Sequence, residues 1–188
     1  PKKEILFTFN PHVYSKKLAE SYSKDYWTSF YNLCDALRKG EDTFNCSSKE
    51  IYDWCLDPVT LNNLFPTACV VVSGNSNDKT TPYENGIGRI HYKIPKEEYV
   101  QRQTKFEEEV TDILNTYLKY DYSDFEKCLK LYDYMISNYH YNHGDITTPQ
   151  NYGATYYCYV SKSGICCDFG SLYAYLLLQV NVDALLAS

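Results

Sequence analysis

The chain has no cluster of lysine and arginine, no long apolar run and no Cys-x-x-Cys pair. Each absence removes a class of function. The 18 basic residues are scattered among 24 acidic ones, for a formal net charge of −6. Gripping a phosphate backbone needs a basic face, so a nucleic-acid partner is not expected. The longest apolar stretch, YAYLLLQV, falls far short of the roughly 20 residues a membrane-spanning helix requires, so no such segment is expected. No Cys/His grouping has zinc spacing, and neither metal nor cofactor is expected. Internal repeats and low-complexity tracts are also missing. Pro1 stands where a start methionine would, which suggests a trimmed or mature segment whose leader would be invisible.

What is present can build a core. The chain has 188 residues, 44% of them hydrophobic, enough for one medium-sized domain or two small ones. Of the eight cysteines, Cys34, Cys55 and Cys128 sit among apolar residues at helical spacing, where a thiol acts as a small buried hydrophobe. Mostly free thiols are expected, which suits a cytosol or an anaerobe's exterior equally. There are 21 tyrosines against eight phenylalanines and one methionine, so tyrosine supplies core bulk.

The hydrophobic pattern predicts an α+β fold, mainly helical with a few short strands. EILFTFN is strand-like. Leu18, Tyr22, Tyr26, Phe30, Leu33 and Leu37 predict a helix from Ser15 to Arg38, stopped by Gly40. Ser47 and Glu50 have capping-box spacing for a short helix that Pro58 interrupts. TACVVVSG and IGRIHYKIP predict two strands that pair as a hairpin around the polar stretch 75–86, with His91 exposed. A helix over 97–119 buries Phe106, Val110, Ile113, Leu114 and Tyr117. Ser123 and Glu126 cap the next helix, whose buried face is predicted as Phe125, Leu129, Tyr132, Ile136 and Tyr139. Residues 142–153 form a polar connection, ATYYCYVSKSG a short helix or turn, and VDALLAS the first strand of a sheet. The softest boundary lies near 95–97, dividing a mixed α/β front, 1–96, from a helical back, 97–188.

Cys166 is the residue whose setting points to chemistry. Gly164 lets the chain bend just before a helix that runs to about Gln179, buried through Leu172, Tyr173, Leu176 and Leu177. A helix N-terminus offers unpaired amides and a positive dipole end, and both favour a thiolate nucleophile and the oxyanion formed when it attacks a carbonyl. The same Gly-x-Cys pattern also occurs in ordinary core packing, and spacing alone does not separate the two.

The segments SDFEKCLKLYDYMISNYHYN and GATYYCYVSKSGICCDFGSLYAYLLLQVNVDA, with their separation, resemble the bacterial transglutaminase-like domain of the papain-like cysteine enzymes. Gly164, Ile165, Cys166, Phe169 and Gly170 fill the family's pattern, and the likeness covers about residues 110–188. It implies a partial papain-like core and a nucleophile at Cys166, with Cys167 incidental and turned towards the protein. It also implies hydrolysis or acyl transfer on a peptide or protein substrate. Val160 stands where papain relatives often carry a glutamine, leaving the oxyanion to backbone amides or to a neighbour such as Tyr159. The family's base and acid come from strands after the cysteine helix. Here His12, His91, His140 and His143 all precede Cys166, with His140 and His143 expected to be solvated loop residues. The segment is therefore expected to stop inside the catalytic domain and to be inactive alone. It is also expected to oligomerise through the truncated C-terminal edge, unless the front region's strands cover it. A vaguer likeness of residues 1–100 to surface proteins of Gram-positive bacteria suggests an extracellular or cell-surface location, although the thiols suit a cytosol as well. The alternative is a binding or structural module that keeps the fold without the chemistry.

Overall fold

Short polar side chains set where the helices begin. Ser15, Ser48, Asp57 and Ser123 each accept a backbone N–H at the start of α1 (Lys16–Ala19), α3 (Lys49–Cys55), α4 (Pro58–Leu64) and α6 (Asp124–Asn138). Each such cap is worth about 1 kcal/mol. The computed structural model describes residues 6–74, 81–143 and 154–186. The remaining helices among them are α2 (Lys24–Lys39), α5 (Lys96–Tyr117), α7 (Ala154–Ser161) and α8 (Cys166–Gln179). The fold is α+β and mainly helical, and none of the described helices is long and apolar enough to cross a membrane.

Several boundaries differ from those predicted. The helix expected from Ser15 to Arg38 is two helices, because Ser23 takes an extended conformation and restarts the chain as α2. Gly40 does end that helix, in the left-handed conformation. The cap of α3 is Ser48, and Ser47 instead donates its amide to Ser29 Oγ at 3.2 Å. Pro58 opens α4 at a position where its missing N–H costs nothing.

The strands are short. β1 (Thr43–Asn45), β4 (Ile87–Arg89) and β3 (Tyr83–Glu84) form one antiparallel sheet. Asn85 and Gly86, both at positive φ, make the tight turn between the last two. β2 (Val72–Ser73) and β5 (His91–Tyr92) pair antiparallel, so the two predicted strands do meet, but β3 and β4 lie between them in the chain and they do not form the predicted hairpin. His91 is half-buried rather than exposed. Residues 6–10 are not a strand. Asn115 Oδ1 accepts the amides of Leu6 and Phe7 at 2.7 and 3.0 Å, and Gln179 exchanges two hydrogen bonds with the backbone of Asn10. Side chains do there what a neighbouring strand would have done.

One contiguous core joins α2, α4, α5 and α8 through Phe30, Leu33, Leu64, Phe106, Leu114 and Leu176. Residues on both sides of position 96 contribute to it. A polar chain crosses its edge: Thr67 donates to Gln103, Gln103 donates to Glu107 at 2.8 Å, and Arg38 clasps the Glu107 carboxylate with two bonds of 2.7 and 2.9 Å.

The largest departure concerns α6. Phe125, Leu129, Tyr132 and Ile136, predicted as its buried stripe, are 76%, 46%, 52% and 60% exposed. The buried residues are Leu131, Tyr134 and Met135, with Tyr139 just past the helix end. Two adjacent stripes of this helix are apolar, and periodicity reports a stripe without reporting what covers it. The tail also differs. Val182 is buried and Asp183 accepts the amide of Lys16 at 2.8 Å, but residues 182–186 form no strand. Side-chain anchoring to α1 has replaced the expected sheet edge.

Candidate functional site

The entrance to α8 is built by two short strands in parallel, β6 (His140–Tyr141) and β7 (Ser163–Gly164). His140 donates its amide to the Lys162 carbonyl at 3.0 Å, and Asn142 to the Gly164 carbonyl at 2.8 Å. Gly164 has no room for a side chain: an added Cβ would lie 2.8 Å from Asp168 Cβ and 3.2 Å from Cys158 Sγ. Asp168 reaches back to accept the Ile165 amide at 2.9 Å, which fixes the first turn. Cys166 is the first helical residue and its side chain is exposed. The following first-turn amides have no carbonyl four residues upstream within the helix, so they point out of its N-terminal end.

Cys167 is exposed as well, not turned into the protein as expected. Its thiol points at Asp168 Oδ1, 3.5 Å away, and burial followed by the Asp168 charge and hydrogen bond raises its pKa. As a thiolate it is disfavoured, which separates two chemically identical neighbours. Of the other six thiols, Cys34, Cys46, Cys55, Cys69 and Cys158 are buried and Cys128 is half-buried, and all eight are free of disulfides.

Helical spacing puts Cys166, Phe169, Gly170 and Tyr173 on one face of α8. The last three line a groove of about 420 Å³ with Tyr132, Met135 and Ile136 of α6, and with Tyr139 and Tyr141. Tyr141 lies 6.2 Å from the Phe169 ring, and Tyr173 donates to the Cys128 carbonyl at 2.8 Å. The Leu186 side chain sits where a Gly170 Cβ would be, so the tail crosses α8 beside the groove. Tyr173, expected to be buried, thus forms groove wall. A wider depression of about 510 Å³ lies in the front region around Lys49, Asp53 and Lys93, with no cysteine in its lining. Lys49 and Asp53 there satisfy each other as an ion pair. Chemistry favours the smaller groove.

The expected oxyanion neighbour is ruled out. Tyr159 is buried, its hydroxyl donates to Glu109, and its ring stands edge-on to Phe106 at 4.9 Å. Val160 is a surface residue. Of the donors expected at Cys166, the backbone amides at the start of α8 remain.

The histidines divide. His12 is committed to Asp35 at 2.8 Å and stacks on Tyr31. His140 lies in β6 rather than in a loop, and the exposed His143 ring is 5.1 Å from Tyr141. Most of the polar connection 142–153 lies outside the described residues. Among the described residues, no group of three or more His, Cys, Asp and Glu side chains is arranged to hold a metal ion.

Cys166 stands at the start of a helix, as its sequence setting predicts, but its surroundings are not legible there. Asp168, third in the helix, carried only the weaker signal of an acid in a first turn. The β6–β7 pairing carried none, because two-residue strands have no alternation to detect. No family model matches this chain, and no curated protein or solved structure matches it.

Proposed function

We propose that residues 97–188 belong to a transglutaminase-like cysteine enzyme in which Cys166 attacks the carbonyl of a peptide or protein substrate. One observation carries the reading: an exposed thiol on the first residue of a 14-residue helix, on the same face as an aromatic groove. The Cys166 sulfur adds to the carbonyl carbon and the electron pair moves to oxygen, where the first-turn amides stabilise it. Collapse breaks the carbon–nitrogen bond, the amine departs with a proton, and a thioester remains. Water or a second amine then takes the acyl group. The family resemblance assigns the proton acceptor to strands that follow the cysteine helix.

The test isolates the first step by using a donor with a good leaving group. Treated with p-nitrophenyl acetate, the protein gains one acetyl group, mapped by peptide mass spectrometry to Cys166. Cys166→Ala loses it. Acetylation spread evenly over Cys166 and Cys167, or unchanged in Cys166→Ala, contradicts the proposal.

A second reading, a non-catalytic binding module, is favoured by the inward Tyr159 and surface Val160, which leave no polar side chain in the expected donor position. The same experiment separates the two, since a binding module shows no selectivity for Cys166.

A further inference from the structure

Lys162 is held in an unusual way. Its backbone is left-handed, φ 55°, a conformation that a residue with a long side chain rarely adopts. Its carbonyl accepts the amide of His140, the first residue of β6. Its ammonium donates to the Tyr139 hydroxyl at 3.0 Å and lies 4.8 Å from the Tyr139 ring and 4.3 Å from the Tyr159 ring. Tyr139 ends α6 and immediately precedes β6, while Lys162 immediately precedes β7. One residue thus ties the starts of both strands, by backbone on one side and by side chain on the other.

The cage is itself fixed. The Tyr139 hydroxyl meets that of Tyr134 at 3.1 Å, and Tyr159 is tied to Glu109 of α5. The ionisable groups facing the ammonium are Glu109, the buried Cys158 thiol of α7, and the two caging phenols, with Asp168 of α8 beyond Cys158. Burial outweighs Glu109 and Cys158 and lowers the pKa of Lys162. The phenol oxygen and the two rings thus hold the ammonium in one place against its desolvation.

We propose that Lys162 is a positioning residue for Cys166: the caged ammonium locks β7 onto β6 and so sets where the first turn of α8 presents the thiol. The inference rests on the reading of Cys166 as nucleophile, but its test does not need turnover.

In Lys162→Met, the amides of His140 and Asn142 exchange with solvent about tenfold faster or more, a change on the scale of one lost cation–π contact. Alkylation of Cys166 by iodoacetamide slows about threefold or more, while the urea midpoint stays the same or rises. Lys162→Arg, which keeps charge and donors, stays within about threefold of the parent in exchange. Unchanged exchange in Lys162→Met overturns the proposal, as does a loss of protection that merely follows a lower urea midpoint. If Lys162→Met does not fold, that alone assigns the residue to stability and also overturns it. Tyr139→Phe, which removes the acceptor and keeps the ring, provides an independent reading on the same two amides and must move them in the same direction. Faster exchange without acetylation at Cys166 keeps the clamp and refutes the nucleophile; acetylation with unchanged exchange does the reverse.

Discussion

Replacing Gly164 by alanine tests how tightly the approach to Cys166 is built. Gly164 is not in the left-handed region, so the added methyl meets only a steric objection. It would stand 2.8 Å from Asp168 Cβ and 3.0 Å from Asp168 Oδ2, against an ordinary carbon contact of about 3.5–4.0 Å. Cys158 Sγ, 3.2 Å away on a buried side chain, blocks retreat in the other direction. Asp168 must therefore withdraw, and its 2.9 Å bond to the Ile165 amide is lost. Overpacking of this kind costs about 1–3 kcal/mol and a lost helix cap about 1 kcal/mol, so a loss of about 2–4 kcal/mol is expected. Equilibrium urea unfolding, followed by tryptophan fluorescence, gives the value from the midpoint at unchanged slope. A cycle with Asp168→Ala sharpens the test: that change alone costs about 1 kcal/mol and, added to Gly164→Ala, costs almost nothing further. A Gly164→Ala protein within about 0.5 kcal/mol of the parent, or two strictly additive costs, refutes the steric argument.

Two other outcomes follow from burial. On α6, Ile136→Ser on the exposed stripe stays within about 0.5 kcal/mol of the parent, whereas Leu131→Ala costs about 2–5 kcal/mol; urea midpoints in the reverse order would restore the face predicted from periodicity. Alkaline pH weakens the fold. Burial pushes Tyr31 and Tyr173 up to about 12, Cys158 to about 12 and Cys69 to about 11, so the folded chain keeps protons that the unfolded chain releases near 9 and 10. Stability from these groups is complete below pH 9 and falls as pH rises from there towards 12. Cys46, lowered to about 7 by a hydrogen bond from Cys55, acts in the opposite sense between pH 7 and 9. Urea midpoints at pH 7, 9 and 10.5 should drop only over the last interval, and a flat profile contradicts the burial of these phenols and thiols.

The parts of the fold legible in the sequence are those with strong local signals. Ser123 and Glu126 form the capping box at α6, Gly40 ends α2, and Phe106, Val110 and Leu114 are the buried stripe of α5. Cys166 was legible because a glycine-containing turn precedes a helix with a clear buried face at Leu172, Leu176 and Leu177. What failed depends on distant partners. Ser47 and Ser48 are equally able to cap, and contact with Ser29 decides between them. The α6 stripes differ by what packs on them, not by hydrophobicity. Residues 6–10 and 182–186 look strand-like in composition, yet Asn115, Thr111, Gln179 and Lys16 hold them by polar contacts that no alternation pattern encodes. The groove beside Cys166 joins residues more than 30 positions apart, Tyr132 to Phe169, through a strand pair of two residues each.

The most direct measurement is the alkylation rate of Cys166 and Cys167 by iodoacetamide, resolved residue by residue by mass spectrometry at pH 7. The two thiols are adjacent, exposed and share the same solvent, so their ratio reports their local settings. Asp168 disfavours the thiolate at Cys167, while Cys166 stands at the amide end of α8. Labelling of Cys166 about tenfold faster or more is the result this account predicts. Equal rates, or faster labelling of Cys167, contradict it.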